Sequence, residues 1–301
     1  MQALATHYQS VKPHPAQVFG AFLFLFIVLV AICAPLIAPV DSSSSPFNLD
    51  LGAVNLKPLE GNHILGTDSL GRDLFGLAAW GARASLLVGI FSAIAAVTIG
   101  SIWGATSALA GGWVEALLMR IVDVLLAIPS IILLLVIDAL LADLPYKSFM
   151  PKFALDFLGI TNYSEGILPI FVVVIVVSAT TWLEAARLTR ARVQSILQEE
   201  YVAAAFALGL DNWSIITKHL LPNAANIILV EATLLVSDAI LIEAGLSFLG
   251  LGLGPSTPSW GGMLNNAQAN LLQGNWWSVV VPGTLIAITV LSIQLITQET
   301  N

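Results

Sequence analysis

Long apolar runs alternate with short polar breaks along this chain. Crossing the hydrocarbon core of a bilayer as a helix takes about 20 apolar residues. Six runs meet or approach that length: 18–40, 84–110, 121–141, 167–183, 227–251 and 276–297. The fourth has only 17 residues, and Glu231, Asp238 and Glu243 interrupt the fifth. Pro129 falls inside the third and predicts a kink, because proline lacks an amide proton and crowds the preceding turn. The first run exceeds the roughly 7–15 apolar residues of a cleaved signal core, so it is predicted to remain as a membrane helix. The pattern predicts an all-α integral membrane protein with six transmembrane helices. Its parts are an N-terminal segment 1–17, a first helix 18–40, a loop 41–79, and a five-helix core 80–298 that carries a polar segment at 184–222.

Composition removes whole classes of function. Of 301 residues, 57% are hydrophobic and 10% charged, where soluble domains carry about 25% charged residues. The mean hydropathy is +0.88. That excludes an ordinary soluble enzyme, a disordered tail and a nucleic-acid binder, and a net charge of −8 has the wrong sign for binding phosphates. Cys33 is a lone cysteine inside an apolar run, and His7, His14, His63 and His219 are scattered, so neither a disulfide frame nor a metal cluster is expected. The chain contains no phosphate-loop motif, no H-E-x-x-H and no G-x-S-x-G. Moving a solute fits this better than breaking a bond, with no cofactor bound by this chain and no catalytic residue.

An even number of spans places both termini on one side. Lysine and arginine in the loops favour that side as cytoplasmic, chiefly through Arg187, Arg190 and Arg192 immediately after the fourth run. Loops 41–75 and 142–166 then lie outside, 184–222 inside, and 252–275 outside without a charged residue. The charge is unevenly spread. Residues 41–75 and 138–166 hold nine acids and four bases, whereas 184–222 holds four of each.

The inside segment carries a distinct signal. Glu199 and Glu200 suit the first turn of a helix that runs through Tyr201, Ala204, Ala205 and Phe206. Gly209 suits its left-handed stop. Asp211 or Asn212 then caps a second short helix, Trp213–Leu220, which Pro222 ends. Trp213, Ile215 and Ile216 give it an apolar face. An amphipathic helix lying on lipid usually carries lysine and arginine on its polar face. Here Lys218 is the only base between Glu199 and Pro222, which favours a protein partner.

Glu200-Tyr201-Val202-x-Ala204-Ala205-x-x-x-Gly209, followed by His219-Leu220-Leu221-Pro222-Asn223, resembles the coupling loop of bacterial ABC importer permeases. Three more segments match the dipeptide/oligopeptide/nickel subfamily in the same order. They are Gly66-Thr67-Asp68-Ser69-Leu70-Gly71-Arg72-Asp73 with Gly81–Leu86, Asp123–Pro129, and Glu243–Gly252 with Pro258–Gly261. The resemblance implies the type I (MetI-like) permease fold and a place in the bacterial cytoplasmic membrane. It also implies a homologous second permease, two cytoplasmic ATPase subunits that bind ATP and Mg, and an extracytoplasmic binding protein. Glu199, Glu200, Tyr201, Ala204, Ala205, Phe206, Gly209 and Leu210 would then meet an ATPase subunit, with Leu221 and Pro222 closing the loop. Ala203 and Phe206 depart from the family's usual charged residues, which makes the docking face more apolar.

Ionisable groups inside spans are functional candidates by default. Arg120 and Asp123 are three apart and share a helix face, so a pair is expected. Glu231 and Asp238 also share a face, while Asp238 and Glu243 are about 140° apart around a helix. Glu231 and Asp238 would meet either the amino end of a peptide or the partner permease. Asp123, Asp238, Glu243 and Trp260 are the candidate pathway or gate residues. The Gly- and Trp-rich stretch 252–277 reads as a folded outer cap near the mouth or as a plain interfacial loop. Gly100, Gly104, Ala105 and Ala108 are expected to pack helices. Peptides, nickel chelates and glycosides are open as substrates, and an ion-coupled secondary transporter or a membrane scaffold are the rival classes.

Overall fold

The computed structural model describes residues 14–39, 48–129, 131–134, 136, 167–254, 257–271 and 273–297. Its helices are α1 (Pro15–Ile37), α2 (Leu74–Ala110), α3 (Gly112–Leu126), α4 (Ile167–Ile196), α5 (Glu200–Ala207), α6 (Asn212–Ile215), α7 (Leu221–Phe248), α8 (Trp260–Leu271) and α9 (Trp277–Thr297). Five of the described stretches are long and apolar enough to cross a membrane: α1, α2, α4, α6 continuing through α7, and α9. α3 has 15 residues and stops before Pro129, and residues 131–134 are helical again. The end of the third apolar run and the loop 142–166 lie outside the described residues.

The helices outrun the apolar runs that predict them. α2 begins at Leu74, where the Asp73 carboxylate accepts from the Gly76 N–H at 2.9 Å and caps the first turn. α4 continues past Leu183 through the arginine cluster to Ile196. α7 runs unbroken past Glu231, Asp238 and Glu243. An acid on a face turned to protein or water leaves the backbone ladder intact, so composition marks the membrane zone and not the helix end.

Small residues set the packing. α2 and α4 run parallel and close, because Gly100 and Gly104 bring the α2 backbone onto α4. A Cβ on Gly100 would lie 2.5 Å from the Trp182 carbonyl, and one on Gly104 would strike that of Ala186. Ala105 and Ala108 are buried in the same way. α7 packs antiparallel to α2, with Gly89 seated on Ile240, and Gly20 of α1 lies against Ser292 and Leu295 of α9. These contacts bring the start of α1, the end of α9 and the α5–α6 segment to one end of the bundle. Loop 48–73 and α8 occupy the other end, where Trp277 Nε1 donates to the Thr67 carbonyl at 3.3 Å. Within that loop Asp68 receives Arg72 at 2.7 Å, and His63 Nδ1 lies 2.9 Å from Asp73 Oδ1.

α3 departs from α2 through Gly111 and Gly112, both at positive φ. Met119 and Val122 bury against Leu183 and Ala186 of α4. Glu115 accepts from Arg190 at 2.6 Å and from Gln194 at 2.5 Å.

Candidate functional site

The segment between α4 and α7 is a compact double turn. α5 ends in a Schellman motif: the Gly209 N–H donates to Phe206 at 3.0 Å and the Leu210 N–H to Ala205 at 3.3 Å. Gly209 takes φ +78, with no atom within 4 Å of the position a Cβ would fill. Asp211 then caps α6 by accepting from the Ser214 N–H at 3.0 Å, and hydrogen bonding from the Ser214 hydroxyl, with this backbone bond second, holds its exposed carboxyl below the usual range.

α6 is shorter than the sequence predicts. It gives way at Ile216 to a π-helical turn over Ile216–Leu220, and the helix then continues as α7. Pro222 therefore does not end a helix. It sits in the first turn of α7, and the wider π turn before it accommodates the amide that proline lacks and carries the chain through.

This double turn has two faces. Val202, Ala205, Ile215, Ile216 and Leu220 bury with Ala105, Ala108, Val193 and Ile196, and Leu210 and Leu221 pack at the edge. Ala205 thus fastens α5 to α2 and α4, and Ile215 and Ile216 point inward rather than sharing a face with Trp213. The outward face holds Glu199, Glu200, Ala204, Gly209 and Pro222, all exposed, together with Tyr201, Phe206, Leu208 and Trp213. Leu208 is 81% exposed and Trp213 57%.

A second feature lies among α3, α4 and α7. A cavity of about 450 Å³ is lined by Leu125, Leu126, Pro129, Thr180, Thr181, Glu184, Asp238 and Leu241 among others. Glu184 and Asp238 lie on facing helices, and Glu231 is within electrostatic range of both. Asp123 stands just before the lining residues on α3. Its nearest cation is Arg187 of α4 at 4.0 Å, and among the described residues no ion pair joins it to Arg120. The cross-helix pairing has a simple cause: α4 is longer than its apolar run and brings its own arginines alongside α3.

Glu243 and Trp260 are placed elsewhere. Glu243 has no exposed surface. Its carboxylate accepts from Ser85 of α2 at 3.0 Å and from Ser247 at 2.7 Å. Trp260 is equally enclosed, with its indole N–H on the Ala78 carbonyl at 3.2 Å. Neither lines the cavity. The stretch 252–277, read from sequence as a folded cap or an interfacial loop, contains the helix α8.

Residues 96–298 match the family model described as "Binding-protein-dependent transport system inner membrane component". Residues 9–58 match a second, "N-terminal TM domain of oligopeptide transport permease C". The chain belongs to this binding-protein-dependent transport family. This permease is similar to the "Dipeptide transport system permease protein DppC" of Bacillus subtilis, at 32% identity over 94% of the chain and 79% of the relative. It is 33% identical to the "Oligopeptide transport system permease protein OppC" of the same organism, over 92% and 81%. A "Di/tripeptide transport system permease protein DppC" of Pseudomonas aeruginosa is 33% identical over 97% and 88%. The permease is thus a non-catalytic transport component of the inner membrane.

Two parts of the permease escape a reading of apolar runs. Glu184 falls just past the end of a run, yet Thr180, Thr181 and Glu184 are spaced to share one helix face, which is the available signal. Ser85, Ser247 and Ser259 lie in segments that carry the family resemblance, but no spacing along the chain shows that Ser85 meets the other two.

Proposed function

We propose that this permease forms half of the translocation pathway of an ATP-driven peptide importer. Its α5–α6 segment docks on a separate ATPase subunit. The partners are a homologous second permease, two cytoplasmic ATPase subunits that hold ATP and Mg, and an extracytoplasmic binding protein. The chain termini and α5–α6 lie on the cytoplasmic side, and loop 48–73 and α8 face outside. One observation carries this reading: an exposed, mainly apolar face on a double turn that the core holds rigidly, at the end of the bundle shared by both terminal helices. A short helix fixed in this way transmits ATPase closure to the spans as a rigid-body movement. Peptide is the preferred solute because the named relatives are peptide permeases across most of this chain.

The acidic cavity is the candidate path. Glu184 and Asp238 offer carboxylates to the α-amine of a peptide, and Thr180 and Thr181 supply a polar wall. Asp123 with Arg187 lies towards its cytoplasmic end.

Reconstitution tests the assignment. Proteoliposomes holding both permeases and the ATPase subunits are expected to accumulate peptide only when ATP and the binding protein are both supplied. Uptake by this chain alone, driven by an ion gradient, would contradict it.

A further inference from the structure

The joint around Glu243 plays no part in docking or in lining the cavity, yet it is the most elaborate polar structure in the described bundle. Its hydrogen bonds have one consistent direction. Ser85 and Ser247 each commit their single hydroxyl proton to the Glu243 carboxylate. Their oxygens are then left to accept from the cap backbone. The Trp260 N–H donates to Ser85 at 3.3 Å and the Leu253 N–H to Ser247 at 3.2 Å. Ser259 donates to Ser247 at 3.5 Å and accepts from the Gly262 N–H at 3.1 Å. One buried acid therefore orients three serines, and through them the start of α8.

The backbone leaves no slack at this joint. A Cβ on Gly261 would lie 2.6 Å from the Ala244 carbonyl and 2.7 Å from its Cα. One on Gly252 would lie 2.7 Å from the Ser247 nitrogen, and one on Gly81 would lie 3.2 Å from the Trp260 ring. Close-packed contacts of this kind do not slide continuously.

We infer that Glu243 is a positioning residue that fastens the cap, residues 249–254 and 257–259 with α8, to α2 and α7, so that the three move as one body through the transport cycle. This rests on the importer reading and extends it. It places the moving seam of the pathway between this body and α3, where the cavity lies, and not between the cap and α7.

Glu243→Gln tests the joint at constant size. A carboxamide offers a donor where the carboxylate accepts, so one serine must turn and release its cap amide. In the purified subunit, spin labels at the exposed positions 248 and 271 are expected to give a narrow distance distribution in the parent and a broad one in Glu243→Gln. Identical distributions would overturn the inference.

The second measurement uses the reconstituted complex in a Cys33→Ala background. Phe248→Cys and Asn265→Cys are joined by a short bifunctional thiol reagent, since Asn265 Nδ2 lies 2.6 Å from the Phe248 carbonyl. The cross-link is expected to leave uptake unchanged. Glu243→Gln alone is expected to lower it about tenfold, the effect of losing one buried hydrogen bond, and the cross-link to restore most of it. Loss of uptake on cross-linking the parent, or no restoration in Glu243→Gln, would overturn the inference. Ser85→Ala, a milder lesion in the same joint, repeats both measurements if Glu243→Gln does not insert. Absence of ATP-dependent uptake in the uncross-linked parent would instead count against the importer reading, while the label distances still test the joint.

Discussion

A Gly209→Pro permease is expected to insert and assemble, and its complex to hydrolyse ATP, while importing peptide at least about tenfold more slowly than the parent. Proline fixes φ near −65°, whereas Gly209 stands at φ +78. It also removes the Gly209 N–H, which donates to Phe206 at 3.0 Å, and so dismantles the Schellman turn. Leu210 then loses its place over Ala205, and α6 swings relative to α5. Insertion survives because the change lies on the surface, with open space around Gly209. Gly209→Ala keeps the amide and suffers only the left-handed strain, about 1 kcal/mol, so a milder defect is expected. ATP hydrolysis and uptake measured in the same proteoliposomes separate the outcomes. Normal uptake by Gly209→Pro would remove α5–α6 from the coupling path.

Asp238→Lys carries the second large effect. It places an ammonium beside Glu184 in the cavity, where a peptide amine would otherwise meet two carboxylates. Like charges at close range cost several kcal/mol, so uptake is expected to fall by about ten- to a hundredfold. Stimulation of ATP hydrolysis by the loaded binding protein is expected to persist, because that signal enters at the other end of the bundle. Asp238→Asn removes the attraction without adding repulsion and is expected to lie between. Uptake by Asp238→Lys equal to the parent would exclude the cavity from the path.

Much of the fold and of the α5–α6 segment is legible in the residues, and the exceptions are physical. The turn at Gly209 and the cap at Asp211 are set by local backbone chemistry, which a short window of sequence contains. Pro222 misleads because a proline that ends one helix and a proline that begins the next look alike until the π turn before it is seen. Ala205 and Phe206 are neighbours of similar apolar character, and only the packing of α2 and α4 turns one inward and leaves the other out. Asp123 pairs across helices with Arg187, which the apolar run of α4 stops short of. The Glu243 joint assembles serines separated by more than 150 residues (Ser85 and Ser247), and no periodicity along the chain carries that.

The docking of α5 on an ATPase subunit is tested most directly by photocross-linking in membranes that hold the whole transporter. A photoreactive residue in place of exposed Phe206 is expected to capture the ATPase subunit. The same residue in place of Val202, which is buried against α2 and α4, is expected to yield only links within this chain. Capture of lipid alone from position 206 would contradict the docking assignment.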